Sequence, residues 1–213
     1  MHTRFPPRFV TVSCRTGIAA AYMTANRLLL LWVLLSALLG AVLRTACPAL
    51  PAPALLMQGL RITDAPCTLW DICRNALFPQ ILLLCMLLLS GVSAIGQPFA
   101  LLALLLRGGG IGAAAADSLL RFGMRAGLSA AAVLVLPFGY CSALILVRGA
   151  ETALRLSSAL TRYFCSGQAD GEFAAKRSAL LRQFPMLTLC SLTACGLHTV
   201  LVWLFHDLPF YGS

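Results

Sequence analysis

From residue 76 to residue 116 the chain carries a single charged side chain, Arg107, and its sharpest interruption is Gly96-Gln97-Pro98. Water offers such a stretch no fold of its own, because too little polar surface is available to cover it. Lipid does, provided every backbone amide and carbonyl is satisfied within helices. Residues 76–95 and 99–116 are each close to the roughly 20 residues a helix needs to cross the hydrocarbon. The Gly-Gln-Pro break predicts a tight hairpin between them. After Arg107 the sequence turns to glycine and alanine, and Gly108, Gly112 and Ala116 recur at four-residue spacing as a small-residue ridge, which lets a second helix approach backbone to backbone. The spacing leaves open whether that helix belongs to this chain or to another.

The rest of the chain agrees. It is 60% hydrophobic and only 11% charged, a balance that excludes an ordinary soluble domain. The net charge of +9 comes from 16 Lys and Arg against 7 Asp and Glu. These basic residues lie between apolar runs and not in a stripe interleaved with aromatics, so they speak for topology and anionic lipid and against nucleic acid. The expected fold is an all-α integral membrane protein of about five transmembrane helices, at residues 28–43, 76–95, 99–116, 127–147 and 186–205. It forms one membrane domain, residues 28–205, after a basic amino-terminal segment, residues 1–27, and before a short tail, residues 206–213.

Each span has a distinguishing feature. Residues 28–43 are apolar except for Ser36 and Gly40; the long preceding segment and the poor cleavage context at Ala46-Cys47-Pro48 predict a retained span and not a cleaved signal. Residues 44–75 form a proline-rich polar loop. Pro79 is placed near the first turn of the second span, where a missing amide proton costs little. A polar connector, residues 117–126, precedes the fourth span, in which Pro137 and Gly139 predict a kink. Residues 148–164 then read as an amphipathic helix, either an extension of the fourth span or a surface helix at the interface, and Arg148, Glu151 and Arg155 are spaced for local ion pairs. With residues 173–184 it predicts cytosolic amphipathic helix between the fourth and fifth spans, and Pro185 is expected to open the last span.

Charge asymmetry sets the orientation. Arg4, Arg8, Arg15, Arg27, Arg148, Arg155, Arg162, Lys176, Arg177 and Arg182 fall on one side, and Arg44, Arg61, Arg74, Arg121 and Arg125 on the other. Ten against five predicts a cytosolic amino terminus and an external carboxyl terminus in the cell membrane. A re-entrant hairpin over residues 76–116, with three true spans, keeps both ends in place and stays open.

Chemistry is sparse. Cys47, Cys67 and Cys73 share one loop, where a disulfide is permitted by spacing but not required; no metal-ligand spacing, cofactor motif or catalytic constellation is present. Cys195 and His198 stand one turn apart in the last span, and packing is the stronger reading of the pair. Arg107 is the informative residue, since a guanidinium at mid-span is expensive without a partner. Glu151 is the better intramolecular candidate and Asp117 the other, with snorkelling to the surface as the structural alternative.

The succession Gly91-Val92-Ser93-Ala94-Ile95-Gly96-Gln97-Pro98-Phe99, then Arg107-Gly108 with the small-residue run through Gly112, then Leu136-Pro137 and Glu151, resembles the stage II sporulation protein M family of membrane proteins. The resemblance covers about residues 76–160; Phe138 stands where relatives often carry a more polar residue. It implies a non-catalytic membrane scaffold that positions peptidoglycan hydrolases during endospore engulfment, a role open to a single copy or an oligomer. Gly91, Gly96, Pro98, Arg107, Gly108, Gly112, Pro137 and Glu151 are the structural or interaction candidates. Two other classes compete: a small-solute transporter or permease component built on Arg107 and the Gly108–Gly112 region, and a membrane redox protein using Cys67, Cys73 or Cys195.

Overall fold

The computed structural model describes residues 10–47, 60, 68–166 and 172–205. Cys67, the proline-rich part of the 44–75 loop, the turn before residue 172 and the tail from residue 206 lie outside the described residues. Among those described, all regular structure is helical: α1 (Val10–Ala46), α2 (Leu69–Val92), α3 (Gln97–Ala130), a single π-helical turn (Ala131–Val135), α4 (Leu136–Ser166) and α5 (Glu172–Phe205). Four helical stretches are long and apolar enough to cross a membrane, within residues 26–46, 69–92, 97–164 and 175–205. The third is of double length and bends back on itself. These are the helices of a multi-pass membrane protein.

The bend is at Gly123, whose φ of 76° and ψ of 176° interrupt α3. An L side chain rarely adopts that φ, so glycine is what allows the reversal. Past it, Gly127 returns so close to Ser118 and Leu119 that a Cβ would meet their backbone. The expected connector over residues 117–126 is therefore helix on both sides of one residue. A chain whose amides turn at a single glycine leaves fewer of them to satisfy than an irregular loop does.

Contacts fix how the helices run. Gln80 and Ser142, Leu87 and Gly149, and Gly91 and Ala153 meet in pairs whose numbers rise together, so α2 and α4 are parallel. Arg107 with Ser142, and Ile111 with Gly139, run in opposite order and make the first arm of α3 antiparallel to α4. Val33 and Ser36 lie against Gly108, Ala37 against Gly112, and Arg44 against Asp117, so α1 is parallel to that arm. Phe138 with His198 and Thr152 with Gln183 set α5 antiparallel to α4. The core between them is Leu83, Leu84, Leu87, Leu104, Val135 and Leu146 with the small residues Ala100, Ala103 and Ala150. Large apolar side chains such as Leu34, Leu38, Leu89, Leu189 and Leu197 face outward.

Several helix ends differ from expectation. Thr68 caps α2: its hydroxyl accepts from the Asp71 amide at 3.3 Å and donates to the Asp71 carboxylate at 2.6 Å. This box starts the helix at Leu69, well before residue 76, and leaves Pro79 in the interior and not in the first turn. The amphipathic stretch expected between the last two spans takes the form of an extension of the preceding helix and not of a surface helix of its own. Residues 148–164 continue α4 without a break, and α5 begins at Glu172 and passes through Pro185 instead of starting there. Proline removes one backbone bond but does not end a helix that is packed along its length, as α5 is where Gln183 accepts from Thr152 at 2.7 Å.

Hydroxyls at membrane depth are satisfied within their own helices. Ser36 donates to Val33, Ser90 to Leu87, Ser118 to Ala114, Ser191 to Leu187 and Thr199 to Cys195, at 2.8–2.9 Å. Each therefore carries no unmet donor into an apolar layer.

Candidate functional site: a buried arginine cluster

Pro137 shapes the middle of the bundle. It has no amide proton to give to the carbonyl four residues back, and the preceding turn, Ala131–Val135, is π-helical, with the Leu136 amide donating to the Ala131 carbonyl. The expected kink is thus a π turn, a wider coil that admits one extra residue and re-aims the helix that follows. Phe138 and Ser142, one turn apart on the start of α4, face the first arm of α3.

Arg107 lies against them. It is 1% exposed, its Nε donates to the Ser142 hydroxyl at 2.8 Å, and its guanidinium carbon stands 5.2 Å from the centre of the Phe138 ring. The Ser142 hydroxyl donates onward to the Gly139 carbonyl at 2.8 Å. Gln80 of α2, fully buried, reaches the same residue through its Nε2 at 3.4 Å from the Ser142 carbonyl. From α5, His198 stacks on Phe138 with centroids 4.2 Å apart, and Cys195 is buried within electrostatic reach of the guanidinium. Four helices thus contribute to one sealed polar cluster. Among the described residues, Nη1 and Nη2 of Arg107 and Oε1 of Gln80 have no hydrogen-bond partner.

Neither expected counter-ion reaches Arg107. Glu151 pairs with Arg155 at 2.8 Å and Arg148 at 3.6 Å. Asn26 of α1, with its amide turned to satisfy both ends, donates to Glu151 and accepts from Arg148, each at 3.2 Å. Asp117 is held by Arg44 at 2.6 Å and Arg121 at 3.0 Å. Local helical spacing serves Glu151 and Asp117 better than a partner about 15 Å away along α3. Nor does Arg107 snorkel, since its side chain is enclosed.

The other expected residues are spent on packing. A Cβ at Gly108 would meet Ser36 and the Val33 carbonyl, and one at Gly112 would land on the Ala37 carbonyl. The ridge's partner is therefore α1 of this chain, through Ser36, Ala37 and Gly40. Gly91 lies 3.2 Å, at its Cβ position, from Ala153 and Leu180. Gly96 sits over the Ser90 carbonyl, and Pro98 falls in the first turn of α3. The carbonyls of the intervening Ser93 and Ala94 accept from Ser157 at 2.8 Å and Thr161 at 2.7 Å. Cys47 and Cys73 are free thiols, so no bridge joins them. Among the described residues no three His, Cys, Asp or Glu side chains gather to hold a metal.

Gln80, Phe138 and Ser142 were not among the expected site residues. A glutamine inside an otherwise apolar run was the available signal for Gln80. Ser142 had none, since many membrane serines only bond their own helix. Comparison with known proteins finds no matching protein family, curated protein or solved structure.

Proposed function

We propose that the chain is a five-pass membrane scaffold of the stage II sporulation protein M type, which holds cell-wall hydrolases at the outer face of the membrane during engulfment or related envelope remodelling. One observation carries the reading: the residues that carry the resemblance are spent on closing the bundle. Gly91 seats α2 on α4, Gly96 seats the break on Ser90, Arg107 joins α3 to α4, Gly108 and Gly112 seat α3 on α1, and Pro137 follows the π turn. A rigid, closed bundle is what a platform for other proteins requires. An enclosed Arg107 favours that role over a permeation path lined by the same residue.

The layout supports five crossings with a hairpin at Gly96-Gln97-Pro98. Glu151 with Asn26 marks one end of the bundle and Asp117 with Arg44 the other. Asn26 and Arg44 are about 27 Å apart along α1, close to the roughly 30 Å of hydrocarbon. Ser157 and Thr161, which hold Ser93 and Ala94, lie beyond Glu151 on α4, so the Gly96 break falls outside that layer. With the amino terminus cytosolic, the break faces the cytosol and the Gly123 turn faces outward, where Leu120, Met124 and Leu128 are exposed for a partner.

Two experiments test this. In a background cleared of the native cysteines, cysteine placed at Gln97 reacts with an impermeant maleimide only from the cytosolic side, and at the exposed Met124 beside the turn only from outside; protection of position 97 from both sides refutes the five-pass layout. Purification in mild detergent recovers peptidoglycan hydrolases with the chain. Their absence from preparations that keep other membrane complexes intact removes the scaffold role.

A further inference from the structure

Among the described residues the Arg107 cluster holds no carboxylate, and that lack points to a ligand. A guanidinium keeps its proton at any physiological pH, so burial cannot neutralise it. Left alone in an apolar layer it is strongly destabilising. Only its Nε is committed within the chain, to Ser142, and Nη1 and Nη2 hold four further N–H donors without a partner among the described residues. Asp71, Asp117 and Glu151 are committed elsewhere: to Thr68, to Arg44 and Arg121, and to Arg148 and Arg155. The Phe138 ring face, 5.2 Å away, compensates only in part, since a ring quadrupole is weaker than a full counter-charge.

We propose that Arg107 and Gln80, with Ser142 holding the guanidinium in place, form a buried site for a small monovalent anion of chloride's size, held as the counter-ion that makes a mid-bundle arginine tolerable. The Nη groups supply the charge and most of the donors. Gln80 contributes the amide hydrogen it does not give to the Ser142 carbonyl, and Gln80 Oε1 is the acceptor for one guanidinium N–H that the anion leaves over. Enclosure selects for size. With Arg107 1% exposed, a lipid headgroup or a partner's carboxylate has no route to it without parting the helices, whereas a halide needs only a transient opening. The role is independent of what the scaffold carries, because the site faces neither surface.

The test uses the full chain, purified in detergent throughout in sodium gluconate and then unfolded by heat across a chloride titration at constant ionic strength. Gluconate is too large for the site. The expected result is an unfolding midpoint that rises with chloride by mass action and a ³⁵Cl resonance broadened by the wild-type protein. In Arg107→Gln both effects vanish. Should that variant fail to fold, Gln80→Leu serves instead: it removes the amide N–H given to the anion, and loss of a bond to a charged group raises the half-saturating chloride concentration about tenfold. A wild-type midpoint identical in chloride and gluconate overturns the proposal. So does a chloride response that Arg107→Gln retains, or that Gln80→Leu leaves at the same half-saturating concentration, since the anion then acts elsewhere on this basic chain.

Discussion

Gly109 and Gly112 are neighbours on one helix, and replacing each with alanine separates packing from helix propensity. Both substitutions gain about 0.5–1 kcal/mol by removing a glycine from a helix interior. At Gly109 the added methyl finds the Ser36 carbonyl at 3.7 Å, an ordinary contact, so the gain stands. At Gly112 it lands on the Ala37 carbonyl, which is α1 backbone and has no side-chain tip to swing aside. Forcing the two helices apart costs about 1–3 kcal/mol or somewhat more, and a backbone obstacle belongs at the upper end. The two variants therefore differ by about 2–3 kcal/mol, with Gly109→Ala slightly more stable than wild type and Gly112→Ala less stable by about 2 kcal/mol. For a chain of this size the separation is about 5–10 °C in unfolding midpoint. Circular dichroism during heating in one detergent reads it directly. Equal midpoints for the two variants would refute the claim that α1 and α3 meet backbone to backbone.

Other outcomes follow from the same contacts. Asp117→Asn leaves Arg44 and Arg121 facing each other without their carboxylate and destabilises by about 1–3 kcal/mol, below the cost of a fully buried pair because both arginines are partly exposed; a change under about 0.5 kcal/mol in the same unfolding assay shows the pair to be incidental. Thr68→Ala removes the α2 cap and costs about 1 kcal/mol, visible as faster hydrogen exchange at residues 70–72 with the rest unchanged. Ser157→Ala with Thr161→Ala frees the Ser93 and Ala94 carbonyls, costs about 0.5–1.5 kcal/mol per bond, and is expected to speed exchange at Gly96 and Gln97. Unaltered exchange there means that the break is held by Gly96 and Pro98 alone.

The sequence by itself settled the solvent. A run from residue 76 to residue 116 with one charge leaves lipid as the only medium that suits it, and the breaks at Gly96 and before residue 172 were visible because glycine, proline and clustered polar residues punctuate helices locally. The four-residue spacing of Gly108, Gly112 and Ala116 likewise announced a packing face. Local signals misled where the outcome depends on what is packed alongside. Pro185 reads as a helix start but is carried through α5, and the polar residues around Gly123 read as a loop but form two helix ends joined by one glycine.

Only the tertiary structure decided which helix fills the small-residue ridge and what Arg107 touches. Both are contacts between residues far apart in the chain, Ala37 with Gly112 and Arg107 with Ser142. Glu151 looked like the natural partner for the arginine because opposite charges attract at any sequence distance. The folded bundle places Arg148 and Arg155 on Glu151's own helix within 3.6 Å, and a charge already paired locally is not available about two turns away. What faces Arg107 is set by the π turn before Pro137, which re-aims Phe138 and Ser142 toward α3, and a register shift of one residue leaves no trace in composition or periodicity.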